Sequence, residues 1–483
     1  MKRLLYILLI ISVLASLIAC SNYETNDISN LMVMQEVPET PPPIDIEDET
    51  NDYIPDVRVM PEIPGPPPPI DIEVVSDYFT KLHAIWDEDN GALWGIPLHT
   101  PLIIADSITR AAVANMPDPK GFFQKHGDVY IGTLPHNVLI GATSVEFNGL
   151  EWGMMPWEMV ANEDEVVVLS ILAHEGFHAI KNRIISGEYQ GTQNLNHMDE
   201  LNARISVMLE LTALTTALRA SCDERMVAIH DALSIRSDRR ARHSSIATIE
   251  ENSFEIHEGL TTFTDLVLVR KEMDEILNFL EENIHIHSET NNLRHFGYFS
   301  GSMYALLLEG FGADWKNDIS YHTDLADLLR HHIGVTELTP FELLNLEPYG
   351  DTEIKRIQTN WYNNFIRIVA EGDDALNNQP TVRLIGNYHV NFNHTYIEWF
   401  FLPEFNMVYY GNFTTIGANW WLNVRNGYIM LLSNGIKVGS AVDIDIDENG
   451  TFASSPTWDL VITDENYFID YIDNRGRVII AER

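Results

Sequence analysis

The sequence predicts an α+β protein, with a small N-terminal sheet leading into a mainly helical unit and a β-rich C-terminal unit after it. Three observations carry that expectation. Between residues 98 and 160 short apolar runs alternate with Gly and Pro, the texture of short strands joined by loops. From 162 to 370 apolar residues recur at three- and four-residue spacing, the period of helices that bury one face. After Gly372 the chain turns to short runs of Thr, Tyr, Val, Ile and Trp, punctuated by the hairpin-turn pairs Asn426-Gly427, Asn434-Gly435 and Asn449-Gly450.

The N-terminus precedes these units and has a different composition. Met1-Lys2-Arg3 is a short basic segment, an apolar stretch runs to Ala19, and Leu17-Ile18-Ala19-Cys20 closes it. The stretch falls short of the ~20 residues a spanning helix needs, and small or apolar residues just before a cysteine suit a lipoprotein signal peptidase. The expectation is a bacterial lipoprotein signal peptide over 1–19. Cys20 then becomes the acylated first residue of the mature chain and holds the protein to the cell membrane on its extracytoplasmic side. A plain membrane anchor is the alternative. Cys222 is the one other cysteine, so lipidation of Cys20 excludes a disulfide and a cysteine-pair metal site, and Cys222 reads as a semi-buried thiol.

Residues 20–75 hold 11 of the 22 prolines, many acidic residues and one Arg, a composition that cannot build a core and reads as a disordered tether. The tether contains a duplication, MQEVPETPPPIDIE from Met34 to Glu47 and MPEIPGPPPPIDIE from Met60 to Glu73. Its proline runs favour extended polyproline II at about 3.1 Å per residue, enough to hold a folded unit away from a membrane. The formal charge is −41, which makes nucleic acid and anionic lipid headgroups poor partners.

The folded part divides into 76–372 and the β-rich unit 373–483. Residues 76–87 read as a helix. Pro101–Ala105, Val129–Ile131 and Val138–Ala142 read as strands of the small sheet, and the aromatic stretch from Phe147 to Trp157 leads into a buried helix over 166–185. Further helices are expected over 199–220, 253–281, 298–310 and 355–371. The C-terminal unit reads as a sandwich or small barrel. Its Trp420 and Trp421 are expected in the core, with sugar or partner binding as the other reading.

The helix over 166–185, VVVLSILAHEGFHAIKNRII, carries His174, Glu175 and His178 in the pattern H-E-x-x-H. Asn162 with Glu165 forms a capping-box signal ahead of it, and Gly187 is the stop signal. Residues four apart share a helical face, so both imidazoles can converge on one zinc ion, with Glu175 close to the same sector. Positions 171, 174, 175 and 178 would form the apolar stripe of an ordinary buried helix. Three of the four are ionisable, and burying them without a metal or partners is costly. Gly176 costs about 1 kcal/mol relative to Ala in a helix, which points to close packing at that position.

A catalytic zinc site usually has three protein ligands and one open position. Glu200, Glu210 and Glu258 all lie on expected downstream helices and are the candidates for the third. Glu210 sits on a helix apolar nearly all round, so it must be either ligating or paired, and the cluster Arg236, Arg239, Arg240 and Arg242 is the pairing alternative. Glu200 reads as a helix-start carboxylate. Asn252 with Glu255 makes a capping box that would start the Glu258 helix, and Gly259 leaves a bare surface for the metal-bearing helix to approach.

The segment Phe254-Glu255-Ile256-His257-Glu258-Gly259-Leu260-Thr261-Thr262-Phe263 resembles the N-E-G-x-x-x-[YF] helix of the Glu-zincin metallopeptidases, and HEGFH is similar to their H-E-x-x-H helices. The resemblance implies a zincin-like catalytic domain over 76–372 with Glu258 as third zinc ligand. More loosely, the chain resembles uncharacterised secreted bacterial proteins with an H-E-x-F-H helix, a later E-G-L-A helix and a Y-x-x-G-x-x-Y segment. That last segment is here Tyr298-Phe299-Ser300-Gly301-Ser302-Met303-Tyr304. Two departures stand out. The separation between His178 and Glu258 is longer than in thermolysin-like enzymes, and no G-x-M-E-N segment precedes the main helix, which leaves aminopeptidase specificity unsupported. The metzincin extension is also absent, since Lys181 and Ile184 stand where Gly and His would be required.

The chemistry expected of such a site is hydrolysis of a protein or peptide by a zinc-activated water, with Glu175 as general base. Tyr298 or Tyr304 is the candidate donor to the oxyanion formed by attack, by analogy with the resembling enzymes. Asp265, seven residues beyond Glu258 and on the same helical face, either orients a ligand imidazole or is a solvated surface residue, the second being expected. Two function classes follow. One is a lipid-anchored zinc endopeptidase. The other is a non-catalytic surface lipoprotein with a structural zinc site, whose β-rich unit binds a partner or glycan.

Overall fold

The computed structural model describes residues 69–482, except 108, 136, 190–194, 386–387, 392–396, 403–405, 418–419, 433–434, 440–443, 464–466 and 473–477. Cys20, the first PPPIDIE copy and most of the tether lie outside the described residues. The chain is α+β, and its β-rich C-terminal region is a curled sheet. No helix among the described residues is long and apolar enough to cross a membrane.

The first helix, α1 (Ile72–Asp89), begins inside the second PPPIDIE copy, earlier than the sequence pattern implied. Asp71 is its cap, and its carboxylate accepts from the backbone N–H groups of Glu73 and Val74. Ile70 and Ile72 pack against the main core, so the end of this repeat copy, residues 70–73, belongs to the folded unit.

A six-stranded sheet follows, built from β1 (Leu102–Ala105), β2 (Ala111–Ala114), β3 (Gln124–His126), β4 (Val129–Thr133), β5 (Thr143–Phe147) and β6 (Leu150–Pro156). The order is β3-β4-β2-β1-β6-β5, with β1 and β6 parallel and the other pairs antiparallel. Val138–Ala142, expected as a strand, is a loop. The Arg110 guanidinium takes the carbonyls of Leu134, Pro135 and Val138, which removes acceptors that a ladder would need. Strand alternation splits the sheet's side chains. Leu102, Ile104, Val113 and Met155 join the helical core, while Ile103, Ala105, Trp152 and Met154 form a second cluster with Phe123 and Phe147.

The helical part comprises α2 (Glu165–Ile180), α3 (Leu201–Arg219), α4 (Cys222–Ala241), α5 (Ser245–Phe254), α6 (Leu260–Asp265), α7 (Met273–Ser288), α8 (Phe296–Gly310), α9 (Leu325–His332) and α10 (Asp351–Asp373). The single helix expected over 253–281 is two. The chain runs from α5 through a π-helical turn at Glu255–Gly259 into α6, then through a second π turn at Leu266–Arg270. It breaks at Lys271, whose φ is 62°. The Asn252–Glu255 capping box does not form. Ser244 caps α5 instead, accepting from Ala247 N–H, and Glu255 faces inward to an arginine.

The C-terminal sheet is organised by two long strands, β10 (Asn406–Gly417) and β11 (Trp420–Leu432), with a bulge at Gly411/Phe413. One half of this hairpin pairs with β9 (Ile397–Leu402) and β12 (Gly435–Val438), the latter pairing in turn with β7 (Val382–Ile385), and the other half pairs with β8 (Tyr388–Asn391) and β15 (Trp458–Ile462). The ribbon therefore bends and the sheet curls around Trp420, Leu422, Ile429, Trp458 and Leu460. Asn426-Gly427 is not a hairpin turn but part of that bend, with Asn426 at φ 44°. Asn449-Gly450 does turn between β13 (Asp445–Ile446) and β14 (Phe452–Ser455). Asn434 lies outside the described residues, flanked by the Leu432–Gly435 pair that closes β11 on β12. Trp420 and Trp421 are buried. The opposite face, with Phe400, Leu402, Val408 and Met430, packs on Trp361, Phe365 and Ile368 of α10.

Candidate metal centre

The site is built on α2, which is held from one side by the small sheet. A Cβ at Gly153 of β6 would lie 2.6 Å from the Glu175 carbonyl oxygen, and one at Gly176 would lie 2.7 Å from Thr100 Oγ1. Both contacts need glycine, which accounts for a helix-weakening residue inside H-E-x-x-H. The ends of α2 differ from expectation. Asp164 occupies the cap position without a side-chain bond, and the helix stops at Ile180 in a tight turn over Lys181–Arg183, well before Gly187.

His174 Nε2, His178 Nε2 and Glu258 Oε2 meet in one cluster. His178 Nε2 is 3.1 Å from both His174 Nε2 and Glu258 Oε2, and His174 Nε2 is 3.3 Å from Glu258 Oε2. Zinc bonds of about 2.0–2.1 Å in tetrahedral geometry place neighbouring donor atoms about 3.3 Å apart. The triangle therefore fits a zinc ion by size as well as by its two-imidazole, one-carboxylate chemistry. All three side chains are buried, where a close set of ionisable groups is costly unless a charge binds them together.

Glu258 reaches this position from the π turn. Gly259 does leave a bare surface, but α8 occupies it instead of α2. A Cβ at Gly259 would lie 2.6 Å from both Gly297 O and Gly301 Cα, and one at Gly301 would lie 2.6 Å from Glu255 O. Backbone contact between α8 and the π turn sets the depth of Glu258.

Asp265 is buried, not solvated. Its Oδ2 lies 3.0 Å from His174 Nδ1. A carboxylate only accepts, so Nδ1 carries the proton and Nε2 faces the cluster, the arrangement that orients a ligand imidazole. Burial alone would push His174 down. The Asp265 and Glu258 carboxylates outweigh it and raise its pKa to about 10 in the metal-free site. Burial alone would push Glu258 up, but the His178 and His174 imidazoles outweigh it and hold the carboxyl well below the usual carboxylate range. His178 is driven down to about 3 by burial and by Lys181, whose buried Nζ contacts His178 Nδ1. Lys181 is itself lowered to about 7 by burial.

A small cleft opens on the cluster, lined by Ala142, Thr143, Ser144, Glu175, His178, His257 and Glu258. Glu175 is 2% exposed, and its Oε2 is buried with no hydrogen-bond partner. Burial pushes this carboxyl up to about 8, with Glu258 adding and His174 opposing.

The remaining candidates fall elsewhere. Glu210 accepts from Arg236 Nη1 and Arg239 Nη2, each at 2.9 Å, and from the Tyr304 hydroxyl at 3.0 Å. That corrects both its alternative role as ligand and the placing of Tyr304 at the oxyanion. Arg240 pairs with Glu251 and Asp324, and Arg242 with Asp238 on the helix surface. Glu200 stands at the start of α3, as expected of a helix-start carboxylate. The Tyr298 ring stacks on His174 with centroids 5.8 Å apart, beside the cluster but not among the residues lining the cleft. Lys181, His257 and Tyr321 are the neighbours that sequence reasoning missed. Burial, together with the Glu258 charge, pushes the Tyr321 hydroxyl up to about 12. The adjacency of His257 to Glu258 was the available signal.

Comparison with protein-family models, with curated proteins and with solved structures finds no match to this chain.

Proposed function

We propose that the chain is a zinc-dependent metallopeptidase of endopeptidase type, lipid-anchored outside the cytoplasm through Cys20. The observation that carries this reading is Glu175. A structural zinc site has no need of a carboxylate beside the ligands, yet here Oε2 is buried and unbonded, on a side chain that lines the same cleft as His178 and Glu258. His174, His178 and Glu258 would hold the ion, with Asp265 behind His174. When bound, zinc supplies a Lewis acid for the substrate carbonyl and lowers the pKa of the attacking water toward about 7. Glu175 Oε2 accepts the proton of that water and passes it to the leaving amine nitrogen.

The cleft wall supports an extended peptide as substrate. Thr143 and Ser144 begin β5, the edge strand of the six-stranded sheet, and one side of that strand lacks a partner among the described strands. An edge strand offers backbone donors and acceptors to a polypeptide in extended form, whatever its side chains. The resemblance to Glu-zincins points the same way. The test is metal content of the purified protein with a casein assay run with and without chelator. Zinc at one equivalent and chelator-sensitive cleavage are expected, and a zinc-loaded protein that cleaves nothing sinks the reading.

A further inference from the structure

The edge hairpin that walls the cleft carries two carboxylates side by side. Glu146 of β5 and Glu151 of β6 are directly opposite in the ladder, and both are exposed. Phe147 and Leu150 close the turn at Asn148-Gly149, where φ is 56° and 89°. In a two-residue hairpin the turn-closing pair exchanges hydrogen bonds and the next pair does not, so Glu146 and Glu151 stand at the closer spacing, about 4.5 Å between Cα atoms. Like charges directly opposite destabilise a sheet, and no Lys or Arg among the described residues forms an ion pair with either.

The pair stands on the cleft side. Val145 and Phe147 pack with Trp152 and Met154 on the far face of the sheet, so strand alternation puts Ser144, Glu146, Glu151 and Gly153 on the α2 face. Ser144 lines the cleft, and Gly153 lies against the Glu175 carbonyl. The Glu151 charge acts on Lys181, whose buried Nζ touches the cleft residues His178 and His257. The cleft also holds a group directed at a ligand, since Glu175 Oε2 is buried without a partner on a side chain that lines it.

We propose that Glu146 and Glu151 form a subsite for a lysine or arginine side chain of the peptide substrate, which makes the enzyme selective for basic sequences. This rests on the hydrolase reading above. A peptide paired to the free edge of β5 puts one residue opposite Ser144 and the residue two further along opposite Glu146, on the same face. Strands lie about 4.8 Å apart, a distance that the arm of Lys or Arg spans, so the cation crosses Glu146 and comes between the two carboxylates. One like-charge contact is thereby replaced by two opposite-charge contacts. A neutral or acidic residue at that place leaves the repulsion standing. Both glutamates bind, and neither touches the reacting atoms.

The test uses the full-length, zinc-loaded protein with internally quenched peptides, acetylated at the N-terminus and identical except for one residue. Lys, Arg, Gln or Glu is moved through each position on both sides of the cut, and the products are read by mass spectrometry. At one position the wild type should favour Lys and Arg over Gln by about 10-fold in kcat/KM, the combined effect of two cross-strand charge pairs, with Glu the poorest. The preference should fade as ionic strength rises from about 0.01 to about 1 M, where the screening length falls from about 30 to about 3 Å. Glu146→Gln combined with Glu151→Gln should bring the Lys-to-Gln ratio to about one, and Glu146→Lys should favour Glu. Zinc content should stay at the wild-type value, and the thermal midpoint should hold or rise because the repulsion is gone. Wild-type cleavage that ignores charge overturns the proposal, as does a Lys preference that survives in the double variant. A matched peptide set with free N-termini adds a further check, since a preference confined to that set assigns the carboxylates to the α-amine and overturns the subsite. A fall in zinc content or midpoint in the double variant makes the pair structural and overturns it too. If the wild type cuts none of the peptides, neutral ones included, the hydrolase reading itself has failed and the subsite falls with it. That result is distinct from the others, because charge selectivity is scored only among peptides that are cut.

Discussion

Replacing Glu258 and Glu210 separately by alanine should produce opposite defects. Glu258 supplies one corner of a triangle with edges of 3.1–3.3 Å, and without it two imidazoles remain. Losing a residue that only supports a ligand costs about 10–100-fold in metal affinity, so losing a ligand should cost more than about 100-fold. The Glu258→Ala protein should also keep its fold, because the Gly259–Gly297–Gly301 contact that seats the π turn is backbone to backbone. Glu210 has no share in the cluster. Its removal takes one of the carboxylates from Arg236 and Arg239, which are 3% and 0% exposed and keep Glu255 and Glu251, and leaves the buried Tyr304 hydroxyl without its acceptor; buried donors left unsatisfied in this way cost about 1–3 kcal/mol. That is a large fraction of the roughly 5–15 kcal/mol by which folded proteins are stable. The assay is bound zinc per chain alongside the denaturation midpoint with zinc in excess. A metal-free Glu210→Ala protein beside a Glu258→Ala protein with a full equivalent would falsify the ligand assignment.

Glu175→Gln should retain zinc and lose hydrolysis by about 100-fold or more, since the side chain moves a proton and is not a ligand; a metal-free variant reverses that assignment. Asp265→Asn should weaken zinc binding about 10–100-fold by releasing the His174 tautomer, and unchanged affinity in a competition titration would show that the 3.0 Å contact does not orient the ligand. Zinc uptake should release protons, because His174 is raised to about 10 in the metal-free protein and must give up its Nε2 proton. Calorimetry at pH 8 in buffers of different ionisation enthalpy should read about one proton or more per zinc, and none released contradicts the assignment. The same shift fixes a sign for stability. The folded-state pKa lies above the ordinary value of 6.5, so the metal-free protein has this contribution in full below about pH 6.5 and loses it as pH rises through about 10. Cys20→Ser should abolish lipidation and move the protein out of the detergent phase; unchanged partitioning favours an uncleaved membrane anchor.

The local chemistry of this chain was legible without coordinates wherever one element carried it. His174, Glu175 and His178 share a helical face by spacing alone, and helical periodicity located α2, α3, α8 and α10 because burial of one stripe repeats with the turn. The β-rich C-terminal unit followed from its composition and turn pairs. Its bend did not, because Asn426-Gly427 reads as a hairpin signal in any sequence and became part of a bulged ribbon only through pairing with Gly411.

Tertiary structure decided everything that joins elements distant in sequence. The choice among Glu200, Glu210 and Glu258 depended on which carboxylate faces α2, and the same residue type is equally at home in a buried arginine network. Asp265 reads as surface until the fold sets it against His174, 91 residues earlier. The π turn at Glu255–Gly259 leaves no mark in apolar periodicity, yet it seats Glu258 and brings His257 to the cleft. Helical spacing fixes angles within one element, whereas a site assembled from α2, the π turn and β5 is fixed by the packing of backbones against one another. In this protein that packing is set by glycines 153, 176, 259, 297 and 301, whose missing side chains decide how closely those backbones come.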